Sequence, residues 1–288
     1  MFAICNLAII PLRAEPSDRS EIVSQVLFGE HFEILERQNQ WAKIKLQFDS
    51  YEGWVDSKQY QSISEKNFND LSKEAIILNA DLVEYVTNAK NMLLPIPLGA
   101  SLSFLNHSEI NTEGFQFEGL KTSGIKPKSD LITTAYQYLN APYLWGGKTP
   151  FGIDCSGFTQ MVYKLNGYHL LRDASQQAGQ GDALSFIEES EPGDLAFFDN
   201  DEGKIIHVGI MMENNYIIHA SGKVRVDRLD HLGIYNPELK KQVDDRLNYA
   251  NALSQTLSDI EAKLVGYGTR IGRGDKLGPG EQKEFDTL

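Results

Sequence analysis

The chain has 288 residues, a formal net charge of −13, and 41% apolar and 10% aromatic content. That length suits two or three domains with packed cores and excludes disorder for most of the chain. The acidity, with no dense Lys/Arg run, excludes a protein that tracks phosphate backbones or clings to an anionic membrane, and favours small soluble substrates.

The opening residues Met1 to Ile10 are apolar but lack a basic leading segment, and proline and charge follow at once in Pro11 to Glu15. A buried strand is therefore expected here rather than a signal peptide. No run approaches the length of a membrane span. Only two cysteines occur, Cys5 and Cys155, which is no disulfide framework. A cytoplasmic, reducing compartment is expected, with a periplasmic or secreted one left open if a leader has been trimmed.

Residues 1–60 read as short alternating strands, Glu21–Leu27, His31–Leu35 and Trp41–Leu46, punctuated by Gly29-Glu30 and Glu52-Gly53. Several strands in so few residues predict a small barrel. Residues 61–75 are polar and predict a helical linker. A second strand-rich stretch covers 76–126, with Pro95-Ile96-Pro97-Leu98-Gly99 expected as a turn, and Lys121 to Ser129 marks the boundary to the third unit.

The third unit, 127–271, opens with Leu131, Ile132, Ala135 and Leu139 on one helical face, capped by Ser129 or Asp130 and stopped by Pro142. A second helix starts near Cys155. Phe158, Met161, Val162 and Leu165 recur at helical spacing, and Gly167 stands where a helix end wants positive φ. Strands follow at Leu195–Phe198, Ile205–Met212 and Tyr216–Ala220, so an α+β domain is expected. Residues 239–264 predict a long amphipathic helix, packed on its own domain or forming a dimer seam. The tail 272–288 is expected to be mobile.

Chemistry concentrates around Cys155. At a helix N-terminus, unpaired N–H groups and the macrodipole favour a thiolate, and neighbouring glycines let a substrate approach. The Cys155 N–H is also placed as an oxyanion donor. A lone cysteine is more often a small core residue, and Cys5 keeps that reading. For Cys155 the balance shifts because His207 and His219 lie downstream in two strands joined by the short turn Glu213-Asn214-Asn215. With an odd-numbered loop the two rings share a face; with an even one they oppose. Shared placement gives nucleophile, base and orienter. A zinc site would need further ligands that the sequence does not supply, so no metal or cofactor is expected.

Residues 127 to about 235 resemble the NlpC family of papain-like cysteine peptidases. The resemblance rests on six segments in order: Pro142-Tyr143-Leu144-Trp145-Gly146-Gly147, Asp154-Cys155-Ser156-Gly157-Phe158, Arg172-Asp173-Ala174-Ser175-Gln176-Gln177, Pro192-Gly193-Asp194-Leu195, His207-Val208-Gly209-Ile210 and Ile218-His219-Ala220-Ser221. It implies Cys155 as nucleophile, His207 as base, His219 as the third polar residue and Tyr143 as an aid to the oxyanion. Residues 1–60 are similar to the bacterial SH3 module of a subgroup through Leu12-Arg13-Ala14-Glu15-Pro16, Ser20–Gln25, Gly29-Glu30 and Asp49–Val55.

The whole is thus expected to be two small SH3-like β-barrels followed by an α+β papain-like catalytic domain. That subgroup resembles γ-D-glutamyl-L-diamino acid endopeptidases of murein-peptide recycling, which implies a murein peptide, L-Ala-γ-D-Glu-diamino acid, as substrate. It further implies that Glu21, Tyr51 and Asp154 bind the free amine, that Ser156 bonds the D-Glu carboxylate and that Trp145 walls the pocket. A carboxylate pair beside an ammonium is physically sensible. An amidase of the same fold and a non-catalytic wall-binding protein remain the alternatives.

Overall fold

Residues 1–184, 189–230, 233–236 and 241–242 are described by the structure, a computed structural model. Alternation in the first unit becomes β1 (Phe2–Ile4), β2 (Ile9–Arg13), β3 (Ile22–Leu27), β4 (His31–Gln38), β5 (Trp41–Leu46), β6 (Glu52–Asp56) and β7 (Gln61–Ile63). They form one sheet in the order β3-β2-β6-β5-β4-β1-β7. The inward residues of the period-two pattern, including Ile10, Leu12, Val26, Phe32, Ile44 and Val55, fill its core. Strand β7 lies inside the stretch expected as linker. It pairs with β1 through backbone bonds, and three residues are too few for a period to show. The helix expected there, α1 (Glu65–Lys73), is capped by the Ser64 side chain on Asn67 N–H.

The second stretch holds β8 (Ile77–Asn79), β9 (Val83–Thr87), β10 (Leu93–Pro97), β11 (Gln116–Phe117) and β12 (Lys121–Ser123), arranged as a three-stranded sheet β10-β9-β11 and a pair β12-β8. The Pro95–Pro97 segment is a strand, correcting the expected turn. It runs along a sheet edge, where missing N–H donors cost no ladder bonds. Val86, Ile96, Leu102 and Phe104 share a core with Ile4 and Phe28 of the first unit, so the two stretches pack as one body.

The third unit contains α2 (Asp130–Tyr136), the short pair β13 (Lys148–Thr149) and β14 (Gly152–Ile153), α3 (Cys155–Leu165), α4 (Ala174–Gln177), and β15 (Leu195–Asp199), β16 (Ile205–Met212), β17 (Tyr216–Ser221), β18 (Lys223–Asp230), β19 (Gly233–Asn236) and β20 (Lys241–Gln242). The last six strands form one sheet in chain order. Phe158, Met161, Val162 and Leu165 of α3 pack against Ile210, Ile218, Ala220 and Val224, so helix and sheet share one core as their periodicities require. The helix expected over 239–264 is a strand at Lys241–Gln242; its remainder and the tail 272–288 lie outside the described residues. Among the described residues, no helix is long and apolar enough to cross a membrane.

Candidate active site

The site starts at the N-terminus of α3. Asp154 is its cap, extended at φ −92° and ψ 176°, and its Oδ1 accepts from Gly157 N–H at 2.6 Å. This puts Cys155 in the first turn, where helical N–H groups have no intrahelical partner. The preceding turn needs Gly146, whose φ is +75°; a Cβ there would sit 2.3 Å from the Ile22 carbonyl oxygen of β3. The first unit therefore presses directly on the loop that carries the site.

Burial pushes the Cys155 thiol up to about 11, with Asp154 adding to the rise and the backbone N–H groups of Val208 and Ser156 opposing it. Position at the N-terminus of α3 favours the thiolate, and desolvation of a residue only 7% exposed opposes it. Val208 places the sulfur beside the strand that carries His207. The ladder between β16 and β17 begins at the pair Gly209–His219, one residue beyond Val208. Among the described residues, the thiol and the His207 ring are not hydrogen-bonded, a looseness common before substrate engages.

The three-residue turn Glu213–Asn215 is odd, so His207 and His219 share a face. Gly209 stands between them in register, and a Cβ there would lie 2.8 Å from that of His219, so the glycine makes room for the imidazole pair. His207 Nε2 lies 2.7 Å from His219 Nδ1. Burial, then the neighbouring His219, pulls the His207 imidazolium down to about 3, which keeps the ring neutral. Two residues absent from the sequence reading complete the row. His219 Nε2 is 3.0 Å from Asp227 Oδ2, and Arg225 holds the same carboxylate with Nε at 2.7 Å and Nη2 at 3.0 Å. Burial alone would raise the Asp227 carboxyl, but bonds from His219 and Arg225 hold it below the usual range. The signal was available only through register: Arg225 pairs directly with His219, and Asp227 is two residues on, on the same face.

Burial, then the neighbouring Cys155 and Asp154, push the Tyr143 hydroxyl up to about 12. Trp145 is 61% exposed, and its indole Nε1 donates to Glu21 Oε1 at 2.5 Å. Tyr51 donates to Asp173 Oδ1 at 3.1 Å. Asp154 is held by buried Arg172, through Nη1 to Oδ1 at 3.0 Å and Nη2 to Oδ2 at 2.6 Å. The same guanidinium donates to Ser156 Oγ at 2.9 Å and, through Nε, to Ser24 Oγ of β3 at 2.9 Å.

Glu21, Tyr51 and Asp154 thus share the junction between units, but among the described residues no hydrogen bond joins one to another. Arg172 already meets the charge of Asp154 with a bidentate bond. Both halves of the Asp173-x-x-Gln176 capping box form immediately after Arg172 and fix the turn there. Cys5 is fully buried, as packing requires. Among the described residues, no group of three or more His, Cys, Asp or Glu is arranged to hold a metal.

The NlpC/P60 family profile matches residues 140–242, and that of the bacterial dipeptidyl-peptidase SH3 domain matches residues 12–59. A γ-D-glutamyl-L-lysine dipeptidyl-peptidase of Bacillus subtilis is 32% identical over 222 residues, covering 69% of this chain and 72% of that protein. Dipeptidyl-peptidase 6 of Lysinibacillus sphaericus is 27% identical over 262 residues, covering 80% of this chain and 92% of that protein. The crystal structure of an NlpC/P60 protein from Bacillus cereus superposes with a TM-score of 0.67 at 22% identity, covering 80% of this chain and 95% of that one, which shows a common fold.

Proposed function

This chain belongs to the NlpC/P60 family, a cysteine peptidase with an N-terminal bacterial SH3 domain, and from that premise we propose that it hydrolyses the γ-D-glutamyl-L-diamino acid bond of murein-derived peptides carrying a free N-terminal L-Ala. We read residues 76–126 as a second SH3-like module and Cys155, His207 and His219 as the catalytic set. The observation that carries the substrate reading is the junction between units. Ser24 of the first unit holds Arg172, which holds Asp154 beside the nucleophile, and Glu21 of the same unit holds Trp145. A barrel docked there supports a cleft closed at one end, which suits a short peptide terminus rather than a polymer. Glu21 supplies the countercharge for the ammonium, and Tyr51, whose hydroxyl donates to Asp173, adds a polar group from the same unit. Ser156 and the Arg172 that donates to it suit the D-Glu carboxylate.

Thiol and imidazole start neutral. As Sγ attacks the γ-carbonyl carbon, the thiol proton passes to His207, and the Cys155 N–H and Tyr143 hydroxyl meet the developing oxyanion. His207 then returns that proton to the leaving amine of the diamino acid. Water attacks the thioester with His207 again as base, releasing L-Ala-D-Glu and free thiol.

Mass spectrometry of L-Ala-γ-D-Glu-L-Lys and its diaminopimelate counterpart after incubation tests the reading. L-Ala-D-Glu and free diamino acid are expected. Release of peptide from a sugar-bearing muropeptide, with the tripeptides intact, would make the enzyme an amidase instead.

A further inference from the structure

We infer that Asp227, itself held by Arg225, is a positioning residue that sets the proton arrangement of both imidazoles and thereby leaves His207 Nδ1 unprotonated to serve Cys155. The inference rests on the catalytic set proposed above and adds a further pair to it.

An ionised carboxylate accepts and does not donate. Asp227 is 1% exposed, and both its oxygens receive guanidinium N–H bonds from Arg225 at 2.7 and 3.0 Å, which fixes the carboxylate in place and favours its charge. His219 Nε2, 3.0 Å from Asp227 Oδ2, must therefore carry a proton. In the neutral ring His219 Nδ1 is then an acceptor. Its partner His207 Nε2, 2.7 Å away, must be the donor. A neutral His207 with its proton on Nε2 has its lone pair on Nδ1, and that is the nitrogen left to accept the thiol proton. One buried carboxylate thus determines the tautomer of a ring it does not touch. When His207 takes the thiol proton on Nδ1 it becomes an imidazolium; its Nε2–H bond to His219 persists, and no further bond need break. The new positive charge is then compensated through His219 by Asp227.

The register supports a dedicated arrangement. Arg225 stands directly opposite His219, and Asp227 occurs two residues along the same face, so strand alternation alone delivers carboxylate and guanidinium to the buried imidazole. The apolar neighbours on that face, Met211 and Ile217, offer no competing acceptor.

The test combines kinetics with ring spectroscopy on the full chain. Nitrogen-15 shifts of the imidazoles in the wild-type protein should show Nε2–H tautomers for both His207 and His219. In Asp227→Asn the amide presents a donor either to His219 or to Arg225. The kcat should fall on the order of 100-fold or more with KM within a few-fold, by analogy with loss of the carboxylate behind a catalytic histidine. The shifts should report an altered tautomer, and Asp227→Glu should recover part of the rate. A wild-type His219 protonated on Nδ1 alone would overturn the inference even if no variant folds. So would wild-type kcat in Asp227→Asn, or a slow Asp227→Asn enzyme whose tautomers are unchanged. Cys155→Ala measured alongside separates the two levels. An active Cys155→Ala removes the catalytic reading itself, whereas an inactive Cys155→Ala beside a fully active Asp227→Asn removes only the role of Asp227.

Discussion

Replacing Glu30 by glutamine should destabilise the protein by about 3–5 kcal/mol, because it removes the carboxylate that two buried ammonium groups share. Glu30 sits just before β4. Its Oε1 lies 2.5 Å from Lys164 Nζ and 3.3 Å from Lys148 Nζ, and its Oε2 accepts from Leu27 N–H at 2.8 Å. All three side chains are at most 5% exposed, and the two lysines belong to the catalytic unit, so the cluster ties the first barrel to it. Burial alone would raise the Glu30 carboxyl, but the charges of Lys148 and Lys164 override it and hold the group at about 2, against an ordinary 4.5. That difference corresponds to roughly 3 kcal/mol of linkage, in keeping with the mutational figure. The sign follows from proton uptake. As pH falls, the unfolded carboxyl is protonated first, so the contribution is complete above about 4.5 and is lost on acidification towards 2. Urea unfolding followed by tryptophan fluorescence, from pH 7 to pH 3, measures both effects. Glu30→Gln should lower the midpoint at pH 7 and flatten the acid-dependent loss. The triple substitution to Met at Glu30, Lys148 and Lys164 should recover much of the stability, since no charge is then desolvated. A Glu30→Gln cost below about 1 kcal/mol at pH 7 would refute the reasoning.

Alkylation of Cys155 by iodoacetamide should accelerate roughly tenfold per pH unit between 7 and 10, because a thiol held near 11 is almost wholly protonated at neutrality; a rate independent of pH over 6–9 would indicate a preformed thiolate. His219→Ala should lower kcat markedly yet less than His207→Ala, and His219→Asn should recover much of the loss by accepting from His207 Nε2–H; equal and total loss in both His219 variants would refute an orienting role. Glu21→Gln should raise KM for L-Ala-γ-D-Glu-L-Lys by about 30-fold or more with a smaller change in kcat, and acetylating the substrate amine should weaken wild-type binding similarly; comparable cleavage of free and acetylated peptides would remove Glu21 from amine recognition.

What could be read from the residues was what local periodicity encodes. The helix at Cys155–Leu165 was legible because its apolar face repeats at 3.6 and Gly167 ends it, whereas the shared face of His207 and His219 hung on a turn length that the structure gives as three residues. Long-range pairing was not legible. Gln61–Ile63 is too short to show a period and is a strand only because β1 lies beside it. Arg172 meets Asp154 across 18 positions, and Asp227 finds His219 only once the β17–β18 register is known. The balance of forces at Cys155 was not legible for a different reason. Helix position is visible in a sequence, whereas the desolvation that outweighs it arises from the packed surroundings of α3 and β16.

The central claim is that Cys155 attacks the γ-D-glutamyl carbonyl. Acid quenching during turnover of L-Ala-γ-D-Glu-L-Lys, followed by intact-protein mass spectrometry and peptide mapping, tests it most directly. The predicted result is an L-Ala-D-Glu acyl group on Cys155, absent from Cys155→Ala, whose kcat falls by about 10⁵- to 10⁶-fold. An acyl group mapped to any other residue, or a Cys155→Ala enzyme retaining a tenth of wild-type turnover, would contradict the account.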